Sequence, residues 1–248
     1  MRTTIIKMQV DVTSRHQAVE QLLCWAREGK GRYVCVSNVH MCMETFDDPS
    51  FRKIVNGADL IVPDGKPIHW AQKVMGFPEA EQLRGEDLTL ALCKAAEKEG
   101  ITVGFYGSTN PVLIRLLQFL KRRYPRLQVD YSHTPPFRSS TPEEDAKDIE
   151  NINKSGIGIL FVGLGCPKQE TWMAAHRDHL GCVMVGIGAA FDFIAGNKRN
   201  APRWIQNIGM EWLYRLLSEP RRLWKRYLTH NPRFLWYFGQ QMLLGRKF

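Results

Sequence analysis

The residues of this 248-residue chain best equipped for chemistry stand where a short apolar run gives way to a helical pattern. In Val62-Pro63-Asp64-Gly65-Lys66 a carboxylate follows such a run. Pro-Asp-Gly is a turn by its own chemistry. A carboxylate at a strand end is equally a general base, provided it reaches the proton it removes and its pKa suits that task. In Cys35-Val36-Ser37-Asn38-Val39-His40, the Asn38 amide could hold a sugar hydroxyl or a uracil edge, or cap the helix that follows. His40 reads as packing.

Glycine-rich turns supply a second kind of chemistry. Val162-Gly163-Leu164-Gly165-Cys166-Pro167-Lys168-Gln169-Glu170 leads from a strand into a helix. Gly165 lets backbone approach a ligand, the helix start favours anions, Lys168 adds charge, and Gln169 adds a donor and an acceptor. Cys166 lacks a partner spaced to activate it and reads as a small packing residue. Gly186-Ile187-Gly188-Ala189-Ala190-Phe191-Asp192 repeats the theme, with Gly188 after a strand and Asp192 as a cap or a ligand. Tyr106-Gly107-Ser108-Thr109-Asn110-Pro111 is a weaker phosphate turn through Gly107. None is a dinucleotide-binding or Walker fingerprint. The chain has no Asp-x-Asp pair and no His/Asp/Glu set at metal-ligand spacing, and His176 and His179 read as a solvated helix pair. No metal or other cofactor is expected. A diphosphate leaving group then falls to helix N-termini and basic side chains.

The elements that must hold these turns alternate. Strands are expected over 5–10, 33–36, 60–62, 102–106, 127–131, 157–162 and 183–187. Helices are expected between them, one opened by a Ser14/Gln17 capping box and one by Pro111. Unbroken apolar strands alternating with helices predict an α/β fold: a mostly parallel, Rossmann-like sheet with helices on both faces. From residue 201 onward the pattern is helical only, with Pro220 and Pro232 as punctuation. The expected division is 1–197 as an α/β catalytic domain and 198–248 as a helical appendage.

Charge divides the chain at the same place. The net charge of +9 resides entirely in residues 198–248, which also hold ten of the 26 aromatic residues. Trp212, Leu213, Leu216 and Leu217 could be core, but the remaining aromatics exceed what a small appendage buries. Basic helices with Trp and Phe suit an anionic membrane surface. No apolar run approaches a bilayer span, the N-terminus lacks a signal-peptide core, and six scattered cysteines suit reduced thiols.

Several longer stretches together resemble the WecG/TagA/CpsF glycosyltransferases, glycosyltransferase family 26. They are residues 58–65, 83–88, 162–170, 186–196, 201–204 and 209–222, so the likeness covers nearly the whole chain. It implies an inverting transferase that moves a hexose or N-acetylhexosamine-type sugar from a UDP-sugar to a polyprenyl-diphosphate-linked saccharide, in bacterial surface polysaccharide synthesis, at the inner face of the membrane. The family's base matches Asp64, its strand-end Asn matches Asn38, and its turn Gln matches Gln169. Its C-terminal basic residues match Arg215, Arg222 and Lys225. Lys225 is often Arg in the family, and Arg226 beside it could share the role. Val36-Ser37 stands where many members carry Thr-Pro. UDP would lie near Gly107, the 165–169 turn and Gly188. A nicotinamide-dependent oxidoreductase would want an early G-x-G-x-x-G, which is absent. A nucleic-acid binder would leave the glycine turns without a purpose, so no nucleic-acid partner is expected. The transferred sugar and the state of association, a homo-oligomer included, are not set by the sequence.

Overall fold

The computed structural model describes residues 1–245 and 248; Arg246 and Lys247, two of the tail's basic residues, lie outside them. Eight strands and twelve helices are described: β1 (Arg2–Ile5), β2 (Met8–Asp11), α1 (Arg15–Glu28), β3 (Arg32–Ser37), α2 (Val39–Asp47), α3 (Pro49–Asn56), β4 (Leu60–Pro63), α4 (Lys66–Val74), α5 (Gly85–Glu99), β5 (Val103–Gly107), α6 (Asn110–Arg123), β6 (Val129–His133), α7 (Pro142–Lys154), β7 (Ile159–Gly163), α8 (Lys168–His176), β8 (Val183–Gly186), α9 (Ala190–Ile194), α10 (Arg203–Asn207), α11 (Glu211–Ser218) and α12 (Pro220–Leu244).

Six strands form one sheet in the order β4-β3-β8-β7-β5-β6, and every ladder in it is parallel. Parallel strands need crossovers, so the α/β alternation follows from the pairing. Side chains along each strand alternate between two cores. Val34, Val36, Phe105 and Phe161 join helices α1, α5, α6 and α9 on one face. Tyr33, Cys35, Tyr106 and Val162 join α2, α3, α4, α7 and α8 on the other. The Ser14/Gln17 capping box opens α1 as expected.

The sequence pattern over 5–10 does not form one strand. Ile6 takes φ 61°, and β1 folds back on β2 as an antiparallel hairpin. The hairpin docks beside β4 through Asp11, whose carboxylate accepts the Ile61 N–H at 2.9 Å.

Helix α12 lies against the face that holds α2. Phe234 is buried in the second core. His230 stacks on His40 with centroids 5.1 Å apart, Tyr237 stacks on Phe46, and Arg233 reaches Asp47 at 2.9 Å. Gln241 bonds both Ile6 N–H and Thr4 carbonyl at 2.7 Å. Pro220 opens α12, but Pro232 stands inside it instead of punctuating it. Tertiary contacts on both sides of that position carry the helix past the lost N–H.

Candidate active site

Ligands of open parallel sheets bind beyond the carboxyl ends of the strands. There β3 and β4 deliver Asn38 and Asp64 side by side. Asn38 caps α2, its Oδ1 accepting the His40 and Met41 N–H groups at 3.0 and 3.3 Å. That leaves its NH₂ for a ligand. Asp64 and Gly65 both donate their N–H groups to the Ser37 carbonyl, at 2.8 and 3.2 Å. A Cβ on Gly65 would stand 3.2 Å from that of Asn38, so glycine lets the two turns close together.

The Asp64 carboxylate is held from a third direction. Its Oδ1 accepts the Gly85 N–H at 2.8 Å, and its carbonyl accepts Gln82 Nε2 at 2.6 Å. Desolvation by the surrounding protein pushes its pKa up to about 6, and the negative charge of Glu211 pushes the same way. The Gly85 N–H, Arg84 and Arg215 oppose that rise. A carboxyl poised near 6 is ionised at neutral pH yet basic enough to take a proton in a transition state.

Two clefts open on either side of Asp64. The larger, about 240 Å³, runs over the ends of β3, β7 and β8 and is lined by Gly165, Gln169, Gly188, Phe193 and Arg222. The smaller, about 90 Å³, is lined by His40, Lys66, Trp212, Tyr227, His230 and Asn231. Asn38, Asp64, Glu211, Arg215 and Arg226 line both.

Among the described residues, no carboxylate forms an ion pair with Arg215 or Arg226, and the Nε of each is buried without a partner. Burial holds the Arg226 guanidinium below its usual range. Arg215 lies over the Phe193 ring at 5.2 Å. Two guanidiniums without an ion-paired carboxylate on a shared wall could hold an anion. Arg222 is instead half-exposed and bonded to Glu219 at 2.6 Å.

One group among the described residues has chelating proximity: His40, Glu44 and His230. The sequence spacing concealed it, because the third member comes from α12. Burial holds His40 down at about 3, with Arg226 and His230 acting in the same direction. The imidazoles are therefore neutral and able to ligate, but the cationic Arg226 beside them opposes a dication.

The glycine turn holds itself together. Gln169 accepts the Gly165 N–H through Oε1 at 3.1 Å and donates to Glu170 at 2.7 Å. It lines the larger cleft with its amide already engaged. Glu170 is fully buried and keeps one carboxylate oxygen without a partner. Cys166 lines the same cleft, and burial pushes its thiol up, away from thiolate chemistry.

Four expected residues do not line either cleft. Lys168 and Lys225 are exposed. Gly107 is buried at φ 120°, where a Cβ would stand 2.7 Å from the Gly163 backbone, so it brings β5 close to β7. Asp192 accepts the Asn197 side chain at 2.8 Å and orders the turn after α9. Nor are His176 and His179 a solvated pair. His176 is buried, donates through Nε2 to the Asp145 carboxylate at 2.9 Å, and stacks on Trp172.

The sequence does not mark Arg84, Glu211 or His230 as site residues, and it marks His40 only as packing. Glu211 and Glu219 are the sole acids in a segment of eleven bases. That isolation is the available signal: Glu219 pairs with Lys198 and Arg222, and Glu211 pairs with Arg84.

A chain named N-acetylglucosaminyldiphosphoundecaprenol N-acetyl-beta-D-mannosaminyltransferase, from Bacillus spizizenii, is 29% identical over 204 residues, which is 82% of this chain and 77% of that one. The family described as "Glycosyl transferase WecG/TagA/CpsF family" matches residues 3–247, spanning the sheet, both clefts and the C-terminal helices. This chain therefore belongs to the WecG/TagA/CpsF family of glycosyltransferases.

Proposed function

We propose that this transferase moves a hexose or N-acetylhexosamine-type sugar from a UDP-sugar to a polyprenyl-diphosphate-linked saccharide, with inversion and without a metal. The Bacillus relative is named for an acceptor of that class, N-acetylglucosaminyldiphosphoundecaprenol. The observation that carries the reading is Asp64, on a wall common to two clefts, beside two guanidiniums that lack carboxylate partners.

The donor occupies the larger cleft, with its diphosphate toward Arg215, Arg226 and Arg222. The acceptor sugar enters the smaller cleft. Asp64 takes the proton from the acceptor hydroxyl, whose oxygen attacks the anomeric carbon opposite UDP. The bond to the diphosphate oxygen breaks with its electron pair, and the guanidiniums stabilise the charge that leaves. This supports catalysis by positioning and preformed charge rather than by a divalent ion.

We also propose that residues 198–248 complete the site and dock on an anionic membrane at its inner face. No helix among the described residues is long and apolar enough to cross a membrane. Trp204, Leu217, Trp224, Leu235 and Trp236 are exposed, and Arg221 and Lys225 are exposed with them. A basic, aromatic face of this kind suits the headgroup region. Incubating the purified chain with a panel of UDP-sugars and a short-chain polyprenyl-diphosphate N-acetylglucosamine tests the activity. UDP release with one donor, in the absence of added metal, is expected. Release with no donor would refute the reading.

A further inference from the structure

The segment 82–87 faces two ways. Gln82 and Gly85 hold Asp64 at its carbonyl and carboxylate, and the Leu83 N–H bonds the Pro63 carbonyl at 2.8 Å. The intervening and following side chains hold the C-terminal part of the chain. Arg84 bonds Gln206 and pairs with Glu211 at 3.3 Å, Glu86 accepts Asn200 at 2.8 Å, and Asp87 lies 3.7 Å from Arg203. Gln206 is itself buried and tied to the Ala201 carbonyl at 2.6 Å. One short stretch therefore fastens the carboxylate at the end of β4 to α10 and α11. Glu211 lines both clefts with Asp64.

We propose that Glu211 is a positioning residue that acts through Asp64: seated on Arg84, whose neighbour Gly85 holds the Asp64 carboxylate, it sets a second negative charge on the wall that Asp64 shares with both clefts. The proposal rests on the reading of Asp64 as the base. Without α11, Asp64 would face Arg84 without the Glu211 charge, a weaker base in a more open cleft.

Other charged groups face the same space. They are Glu86 at the start of α5, Arg215 of α11, Arg222, Arg226 and His230 of α12, His40 of α2 and Lys66 of α4. Glu211 is the acid that raises the proton affinity of Asp64, whereas Arg84 and Arg215 lower it. Removing Glu211 or removing Arg84 should therefore move the same titration in opposite directions. A loss of packing alone would not produce opposite signs.

The test uses the full chain carrying Glu211→Gln or Arg84→Met. The Asp64 carboxyl resonance is assigned by its loss in Asp64→Asn and titrated by carbon-13 NMR, and the acid limb of kcat/KM is recorded beside it. In Glu211→Gln both midpoints should fall below the native value of about 6, and in Arg84→Met both should rise. Glu211→Asp should restore much of the native midpoint. Shifts of the same sign, or no shift in Glu211→Gln, would overturn the proposal. If Arg84→Met does not fold, Glu211→Gln alone decides. The NMR titration needs no turnover. Shifts as expected, with transfer indifferent to Asp64, would sink the base reading and leave the coupling standing.

Discussion

The Oδ1 of Asp64 accepts the backbone N–H of Gly85 at 2.8 Å, and that bond joins the end of β4 to the start of α5. The N–H favours the ionised carboxylate, yet the surrounding protein disfavours it more, and the balance leaves the pKa at about 6. The site thus holds a carboxyl of raised proton affinity at a cost to the fold.

That cost has a sign. Folded Asp64 keeps its proton up to about pH 6, whereas in the unfolded chain the ordinary value is 3.8. Between those values the folded state binds more protons, so this group's contribution falls as pH rises through the window and stays low above it. At 1.36 kcal/mol per unit the loss reaches up to about 3 kcal/mol. Asp64→Asn should therefore raise Tm at pH 8 and leave it nearly unchanged at pH 4. Thermal melts at both values check this; an equal change at the two would contradict it.

Arg226 is the tail residue best placed to hold an anion, and it lacks a carboxylate partner. Replacing a partly desolvated guanidinium that has no ion pair with a hydrocarbon of similar length should preserve or raise stability. Losing a charge-assisted bond of about 1.5–3 kcal/mol should weaken UDP binding by roughly 10–100-fold. Calorimetric titration of Arg226→Met with UDP checks both statements. An unchanged Kd with a lowered Tm would make Arg226 a structural residue only.

On the outer face, Trp224 is 54% and Trp236 66% exposed. Trp224→Ser with Trp236→Ser should reduce sedimentation with phosphatidylglycerol vesicles on the order of tenfold or more, since each indole adds over 1 kcal/mol on burial. Turnover of a short, water-soluble acceptor should be unaffected. Equal vesicle binding by the double variant would refute the docking face.

Much of this arrangement was legible in the chain. Apolar runs alternating with capped helices specify a parallel sheet, because both faces of each strand are buried. Asn38 and Asp64 were visible because turn chemistry at a strand end places them at the binding edge. What was hidden depends on contacts distant in sequence. Arg84 meets Gln206 across 122 residues, and no local pattern announces it. His40 read as packing until α12 brought His230 beside it. The hairpin at Ile6 escaped notice because a β-branched residue occupies a left-handed position where glycine or asparagine is expected. His176 looked solvated because helical spacing does not reveal that α7 supplies Asp145.

Asp64 as the base is decided by comparing Asp64→Asn with the native chain in single-turnover transfer, alongside the affinity of each for UDP. The expected result is a loss of at least about a hundredfold in the transfer rate, the lower end for a general base, with UDP affinity changed little. Transfer at the native rate in Asp64→Asn, with UDP bound normally, would contradict it.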